Sequence, residues 1–485
     1  RDRNQTGSQP PPQEKWLALI NPTHASSHER FRCALLAVLV LKLVTAGPPC
    51  CCAANEPFKI KLVDRENGWP VPLVELRTTH HVRLVSDNAG LIAFDLPELM
   101  NVSTWLHVRG HGYSVPRDRF GYEGVRVVPR PGEAVTIQLA RELPAKRLGR
   151  ITGGGLFSES QKLGLQTDWS EQGILGCDSV QNARHGEKLF WSWGDTTLPG
   201  YPLGRFHMIA ATTSVQPLGD LRPPIRLRYD YFVDDDGVPR NVAQMPGRGP
   251  TWLSGFASLP DREGRNRLVA TYSKIEPPLT EYERGLCVWN ESASKFEKLR
   301  VLWKSSQDSA QPIAAPSGHV VYWVDETGQR WAWFGDPFPT LRCRATFEDW
   351  SDPVRWERLE PQQRVPIQNS DDLIKPHRGA IAWNAFRNKW VCIFTQLGGN
   401  PSHLGELWYT EADAPTGPWG GAIKVVTHDQ YTFYNPQLHP EFTEPGSSIL
   451  LFEATYTRTF SATKEATPRH DYNQVLYRLD LDDLP

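Results

Sequence analysis

Lys188-Leu189-Phe190-Trp191-Ser192-Trp193 reads as an aromatic-rich strand, and the same kind of run returns four times further along the chain. The returns are Arg267-Leu-Val-Ala-Thr-Tyr272, Arg330-Trp-Ala-Trp-Phe334, Lys389-Trp-Val-Cys-Ile-Phe394 and Ser448-Ile-Leu-Leu-Phe452. Their spacing settles at about 60 residues, which is the signature of a structural repeat. A strand-like run precedes each one (174–181, 252–259, 320–326, 379–386, 435–442) and another follows (207–214, 285–290, 341–347, 405–412, 474–479). Fourth strands at 295–303, 354–359 and 422–427 complete most units. Repeated four-stranded units of this kind predict an all-β fold, a five-bladed β-propeller over residues 150–485. Six or seven blades would need more chain. The last unit runs out after three strands, so residues 151–157 are expected to supply its outer strand and close the ring.

Composition agrees with this reading. The 485 residues include 38 Gly and 41 Pro against 3 Met, and the aromatics reach 11% with 18 Trp. That balance suits a turn-rich β protein with ample core. Lys and Arg number 53 against 55 Asp and Glu. Such a balance creates no basic field for a phosphate backbone, so a nucleic-acid partner is not expected.

Upstream, residues 57–143 alternate apolar and polar positions, as in Phe58-Lys59-Ile60-Lys61-Leu62 and Gly90-Leu91-Ile92-Ala93-Phe94, with turn signals at Asn67-Gly68 and Asp87-Asn88-Ala89-Gly90. This predicts a small β-sandwich. Residues 1–54 read as an unfolded lead followed by a secretory signal peptide. Arg30-Phe31-Arg32 gives the basic flank, Ala34 to Leu41 the apolar core and Cys52-Ala53-Ala54 the small-residue end. The core is too short to span a membrane. The mature chain is therefore expected to begin near Asn55, with no membrane span and a periplasmic or extracellular location. Of the cysteines beyond this point, Cys177, Cys287, Cys343 and Cys392, none has metal-ligand spacing. Buried free thiols are expected, with one disulfide left open. Asp234-Asp235-Asp236-Gly237 lacks the later Glu of a calcium loop and reads as a hairpin turn.

In a propeller blade the start of strand 1, the end of strand 2 and the start of strand 3 share one end, the funnel. In the first unit these places hold Asp178 and Asp195, in the fourth His377, Arg378, Gln396 and Glu406, and in the fifth Tyr434, Asn435 and Glu453. The second unit offers only Ser254, Gly255 and Ser273. Carboxylates, Arg, His and Trp at one mouth suit glycoside hydrolysis, which needs one carboxylic acid and a second carboxylate as nucleophile or base. Asp178, Asp195, Glu406 and Glu453 are the candidate catalytic acids. Trp193, His377, Arg378, Trp408, Tyr434 and Asn435 are the candidate substrate-binding residues, Arg378 for a sugar carboxylate or sulfate and the tryptophans for stacking. The plain structural readings compete: a turn cap at Asp195, a strand-start residue at Asp178, ion pairs at Glu406 and Glu453, and a satisfied histidine at His377. Asp178 and Asp195 lie on opposite arms of one hairpin, and their 17-residue spacing favours a diagonal rather than a direct pairing. The expected partner is a polysaccharide or oligosaccharide. No cofactor is called for, and a central metal ion is left open. A polysaccharide lyase using His377 or Tyr434 as base with Arg378, and a non-catalytic sugar-binding propeller, are the alternative readings.

Two resemblances carry this further. Val63-Asp64, Gly68, Pro70-Val71-Pro72 and Ser86-Asp87-Asn88-Ala89-Gly90 resemble carboxypeptidase regulatory-like, transthyretin-like modules, accessory domains of secreted bacterial proteins. Gly176-Cys177-Asp178 with Trp193-Gly194-Asp195-Thr196 is similar to a largely uncharacterised family of secreted bacterial five-bladed propellers, some of which hydrolyse arabinofuranan. The wider architecture resembles the arabinanase, xylosidase and invertase propellers. The resemblance implies that Asp178 and Asp195 are the catalytic carboxylates. It covers roughly residues 150–483. The arabinanase pattern also has a second-blade Asp, which this sequence lacks, so the third acid is not assigned.

Overall fold

The computed structural model describes residues 56–215, 222–307, 311–400, 402–428 and 430–485. The lead and signal peptide expected over residues 1–54 lie outside the described residues. Two sheets form the amino-terminal part. One orders Leu91–Phe94, Phe58–Asp64, Ala134–Arg141 and Tyr113–Ser114, and the other Arg83–Val85, Glu75–Thr78, Thr104–Arg109 and Gly124–Val127. Their alternating positions turn Ile60, Leu62, Leu76, Ile92, Phe94, Leu106 and Leu139 into one dry core. Gly90 adopts φ +66, and a Cβ there would lie 2.6 Å from the Leu62 carbonyl, so the turn admits no larger residue.

Five four-stranded antiparallel sheets follow. The first runs Gln181–His185, Lys188–Trp193, Ile209–Ser214, Asp230–Tyr231. The second runs Thr251–Pro260, Asn266–Glu276, Thr280–Asn290, Lys295–Lys304, and the third His319–Val324, Arg330–Gly335, Pro339–Arg344, Glu357–Arg358. The fourth runs Pro376–Asn384, Lys389–Gln396, Leu407–Ala412, Gly420–Val426. The fifth takes Thr432–Leu438, Ile449–Thr457 and Asn473–Asp480, then Lys146–Arg150 from far upstream as its outer strand. Consecutive sheets touch through their first strands. The fifth meets the first where Asn182 bonds to His439 and Gln437.

The aromatic runs are the second strands, and their packing explains their composition. Leu189, Trp191 and Trp193 point into a core shared with the fifth sheet (Leu148, Leu451, Leu476), while Phe190 points into a core shared with the second (Phe256, Trp289, Phe296). The same division recurs between the second and third, third and fourth, and fourth and fifth sheets. A strand buried on both faces reads as a continuous apolar run rather than an alternating one.

Four expected boundaries move. The strand expected at 174–181 is Gln181–His185, while Gly176–Cys177 pairs in a separate three-stranded sheet. Residues 151–157 do not form the closing strand: Gly153 and Gly155 take φ +83 and +69 and bend the chain, while Lys146–Arg150, buried throughout, pairs with Arg478 to Val475. The strand expected at 435–442 is Thr432–Leu438, because Pro440 starts a 3-10 turn over Pro440–Phe442. The fourth strand of the third sheet shrinks to Glu357–Arg358 behind the 3-10 turn Pro353–Arg355. The four cysteines are buried free thiols. Asp234 closes the expected hairpin turn, its carboxylate accepting from the Asp236 and Val238 amides. Helix is confined to short segments, and no described helix is long and apolar enough to cross a membrane.

The amino-terminal sheets are tied to the strand Lys146–Arg150. The Asn88 amide donates to the Arg150 carbonyl at 2.7 Å and its oxygen accepts from the Arg150 N–H at 2.9 Å, while Arg147 donates to the Pro72, Leu73 and Gly110 carbonyls. Asn88 is fully buried. Asn88→Ala leaves two backbone groups unpaired and is expected to lower stability by roughly 2 kcal/mol, read as a reduced midpoint in thermal or denaturant unfolding.

Candidate active site

The first sheet builds the site by register. Cys177 pairs with Thr196 and Gln181 with Ser192, and the ladder is interrupted between these pairings, which leaves Asp178 and Asp195 on facing segments. Ser179 takes φ +51 between these segments, and the Gly194 N–H donates to the Asp178 carbonyl at 2.8 Å. A Cβ on Gly194 would lie 2.2 Å from Asp178 Oδ1, so the glycine before Asp195 is the space the first carboxylate occupies.

The two carboxyls have different surroundings. Asp178 accepts from the Tyr434 hydroxyl at 2.5 Å, from the hydroxyls of Tyr472 and Ser179, and from the Asp195 backbone N–H. Burial pushes its carboxyl up, and these bonds pull it back. Asp195 has one donor, the Trp252 indole N–H at 3.3 Å. Burial and then the nearby Asp178 charge push it up to about 7. Asp195, with the poorer set of donors, therefore holds its proton near neutrality, while the donors to Asp178 favour its charged form.

The fifth sheet supplies the remaining frame. Asn435, at φ +51, donates to Ser179 Oγ at 2.5 Å, and Thr455 Oγ1 accepts from the Ser179 N–H at 3.2 Å. Tyr434 and Asn435 thus join Asp178 and Asp195 as the sequence placed them. Tyr472 and Trp252 were missed. Trp252 sits where the second unit starts, beside the Ser254-Gly255 that was read instead, and Tyr472 immediately precedes the third strand of the fifth sheet.

A third acid was missed as well. Asp336 follows Phe334-Gly335 at the end of the third sheet's second strand, the place Asp195 holds in the first. It accepts from Arg378 at 3.0 Å and from the Gly379 N–H at 2.8 Å. The repeated Gly-Asp after an aromatic strand was the available signal. His377 beside it is held below its ordinary value by burial and then by Arg378, and its Nδ1 is buried without a partner.

Other candidates lie elsewhere. Glu406 is fully buried, paired with Lys424 at 2.8 Å and accepting from Thr427 at 2.8 Å, partners on and beside the fourth sheet's outer strand. Glu453 is fully buried against His439 Nε2 at 2.8 Å, in the seam between fifth and first sheets. Trp193 has no exposed surface and packs between Trp191 and Tyr229. Trp408 is buried, its indole N–H bound to Gln396 and Lys424 lying over its ring. These four side chains are occupied by packing or pairing within the fold. A central cavity of about 480 Å³ is lined by first strands of all five sheets, among them Asn182, Phe256, Val321, Ile381 and Leu438. It extends to Gly186, Asn266 and Arg330, the hairpin end opposite Asp178. Among the described residues no group of three or more His, Cys, Asp or Glu is placed to hold a metal ion.

No family model matches the chain, and no curated protein matches it. Among solved structures it is similar to an exo-1,5-α-L-arabinanase from a bovine ruminal metagenomic library, at 13% identity and TM-score 0.36 over 62% of this chain and 92% of that one. It is similar to a putative exo-β-1,3-galactanase from Bifidobacterium bifidum, at 12% and 0.33 over 63% and 91%. It is also similar to an N-acetylgalactosamine deacetylase from F. plautii, at 10% and 0.37 over 64% and 91%. The functional reading rests on the site itself.

A carboxyl raised on folding binds its proton more tightly in the native chain than in the unfolded one. Between about 4, its unfolded value, and about 7, the native chain holds the extra proton. The contribution of Asp195 is then complete below this window and lost as pH rises through it. Asp195→Asn is expected to unfold at a higher temperature than the natural chain at pH 8, with the difference gone or reversed at pH 4.

Proposed function

We propose that this chain is a secreted glycoside hydrolase acting on a polysaccharide or oligosaccharide. In this reading the five sheets are the blades of a five-bladed propeller, and the amino-terminal sandwich is its carboxypeptidase regulatory-like, transthyretin-like accessory module. The observation that carries it is the pair Asp178 and Asp195, held on facing segments of one hairpin with unlike sets of hydrogen-bond donors.

Asp195, raised to about 7, serves as the acid that protonates the leaving glycosidic oxygen. Asp178, oriented by Tyr434, Tyr472 and Ser179, serves as the carboxylate facing the anomeric carbon. In the retaining route, where the carboxyls stand about 5 to 5.5 Å apart, Asp178 is the nucleophile. In the first step the C–O bond breaks as Asp195 gives its proton to the departing oxygen and Asp178 bonds to the anomeric carbon. In the second, Asp195 takes a proton from water and the hydroxide displaces Asp178. Arg378, held by Asp336 at the third and fourth sheets, is left with donors to position the sugar. A lyase would need a base in this mouth. The Tyr434 hydroxyl donates to Asp178, and burial and that charge push it well above its ordinary value, which leaves His377 beside Arg378 as the base of the alternative lyase reading.

The test is release of reducing ends from a panel of arabinans, galactans and xylans. Asp178→Asn and Asp195→Asn are each expected to lower turnover by at least roughly 10²–10⁴-fold with the fold intact. Activity of the natural chain should decline above pH 7 as Asp195 loses its proton. Full activity in either variant, or an ultraviolet-absorbing unsaturated product, would overturn the assignment.

A further inference from the structure

The sheet of the amino-terminal sandwich that holds Thr104–Arg109 carries on its outer side a cavity of about 680 Å³ that the chemistry above does not use. Strand alternation creates its walls. Leu106 and Val108 turn into the sandwich core, so His107 and Arg109 face outward; Leu76 does the same for Arg77. The register sets Arg77 across from His107 and Arg109 across from Glu75.

The nearby carboxylates do not neutralise these groups. Glu75 is taken by Arg83 at 2.6 Å and Glu123 by Arg117 at 3.5 Å, leaving Glu142 at the rim. Arg77 and Arg109 have no carboxylate partner among the described residues, and Arg77 Nε is buried with no hydrogen-bond partner. An unpaired buried guanidinium donor costs stability unless a ligand takes it. The floor of the cavity reaches the second half of the chain at His428, stacked on His111 at 3.5 Å. Burial and then the neighbouring His111, Arg147 and Arg109 push the His428 imidazole well below its ordinary value, a sign of positive potential at this floor.

We propose that this cavity binds an acidic saccharide, a sugar unit bearing a carboxylate or sulfate, with Arg77 and Arg109 taking the oxyanion and the exposed Tyr122 ring lying along the sugar. Planar guanidinium forks fit an oxyanion that a single ammonium would hold less selectively. Its volume lies within the range of about 300–1,000 Å³ typical of organic-ligand pockets and far exceeds the ~30 Å³ share of one water, which points to a sugar-sized ligand rather than a lone ion. The inference stands apart from the hydrolase reading, since it concerns binding on the accessory module.

The experiment is titration calorimetry of the full chain with trigalacturonate, a sulfated disaccharide, neutral galactotriose and inorganic phosphate at low salt. An acidic saccharide is expected to bind at least about tenfold more tightly than galactotriose and phosphate, and to weaken as salt screens the contact. Arg109→Gln, at an exposed position, should weaken it severalfold, and Arg77→Gln with Arg109→Gln about tenfold or more at unchanged unfolding temperature. Should the double variant fold poorly, the Arg109→Gln result decides. Binding of galactotriose or phosphate as tight as that of the acidic sugars, or an Arg109→Gln chain with unchanged affinity, would overturn the proposal. Asp178→Asn should bind as the natural chain does. Loss of binding there would place the acidic sugar in the hydrolytic mouth and sink this inference while leaving the hydrolase reading standing.

Discussion

The antiparallel ladder between Lys146–Arg150 and Asn473–Asp480 is the constraint on which the rest of the structure depends. It joins a segment just after the sandwich to the end of the chain and gives the fifth sheet its outer edge. Only with that sheet fixed do Tyr434, Asn435, Thr455 and Tyr472 stand against Asp178 and Ser179. The strand that closes the ring is also the strand that Asn88 grips, so sandwich, closure and carboxylate share one mechanical path. Loop-closure entropy grows slowly with length, so a junction between distant segments costs little more than a near one and orders far more.

The site shows how one hairpin sets two acidities. Both aspartates leave water, and both are raised for that reason. What separates them is the count of donors, four for Asp178 and one long bond for Asp195. The donors to Asp178 come from the fifth sheet, from Ser179 next to it and from the backbone across the hairpin, whereas Asp195 meets the second sheet through the edge of Trp252. Asymmetry of the neighbours, rather than of the residues, separates the two acidities.

Much of this was legible in the sequence because the second strands are buried on both faces and so show as dense apolar runs; Lys188–Trp193 in particular is bounded as it was read. Asp178 and Asp195 could be placed near one another because a repeat fixes which residues share one end. Boundaries governed by single backbone conformations were not legible: the bend at Gly153 and Gly155, the turn at Pro440 and the left-handed Ser179. Nor was side-chain direction. Glu406 and Glu453 occupy plausible places along their strands, but their carboxyls turn to Lys424 and His439, a choice made by partners distant in sequence. Asp336 was passed over although its Gly-Asp repeats the first unit's, because the repeat was used to find strands and not to compare the residues that end them.

The sharing of each second strand between two neighbouring cores has a consequence for how the molecule comes apart. In an open stack of repeats the terminal units have one neighbour and can peel away first. Here Leu189, Trp191 and Trp193 serve one interface and Phe190 the next, and the upstream strand completes the fifth sheet. Each of these second strands is held from two sides, so detaching one of the five sheets opens two shared cores at once rather than one.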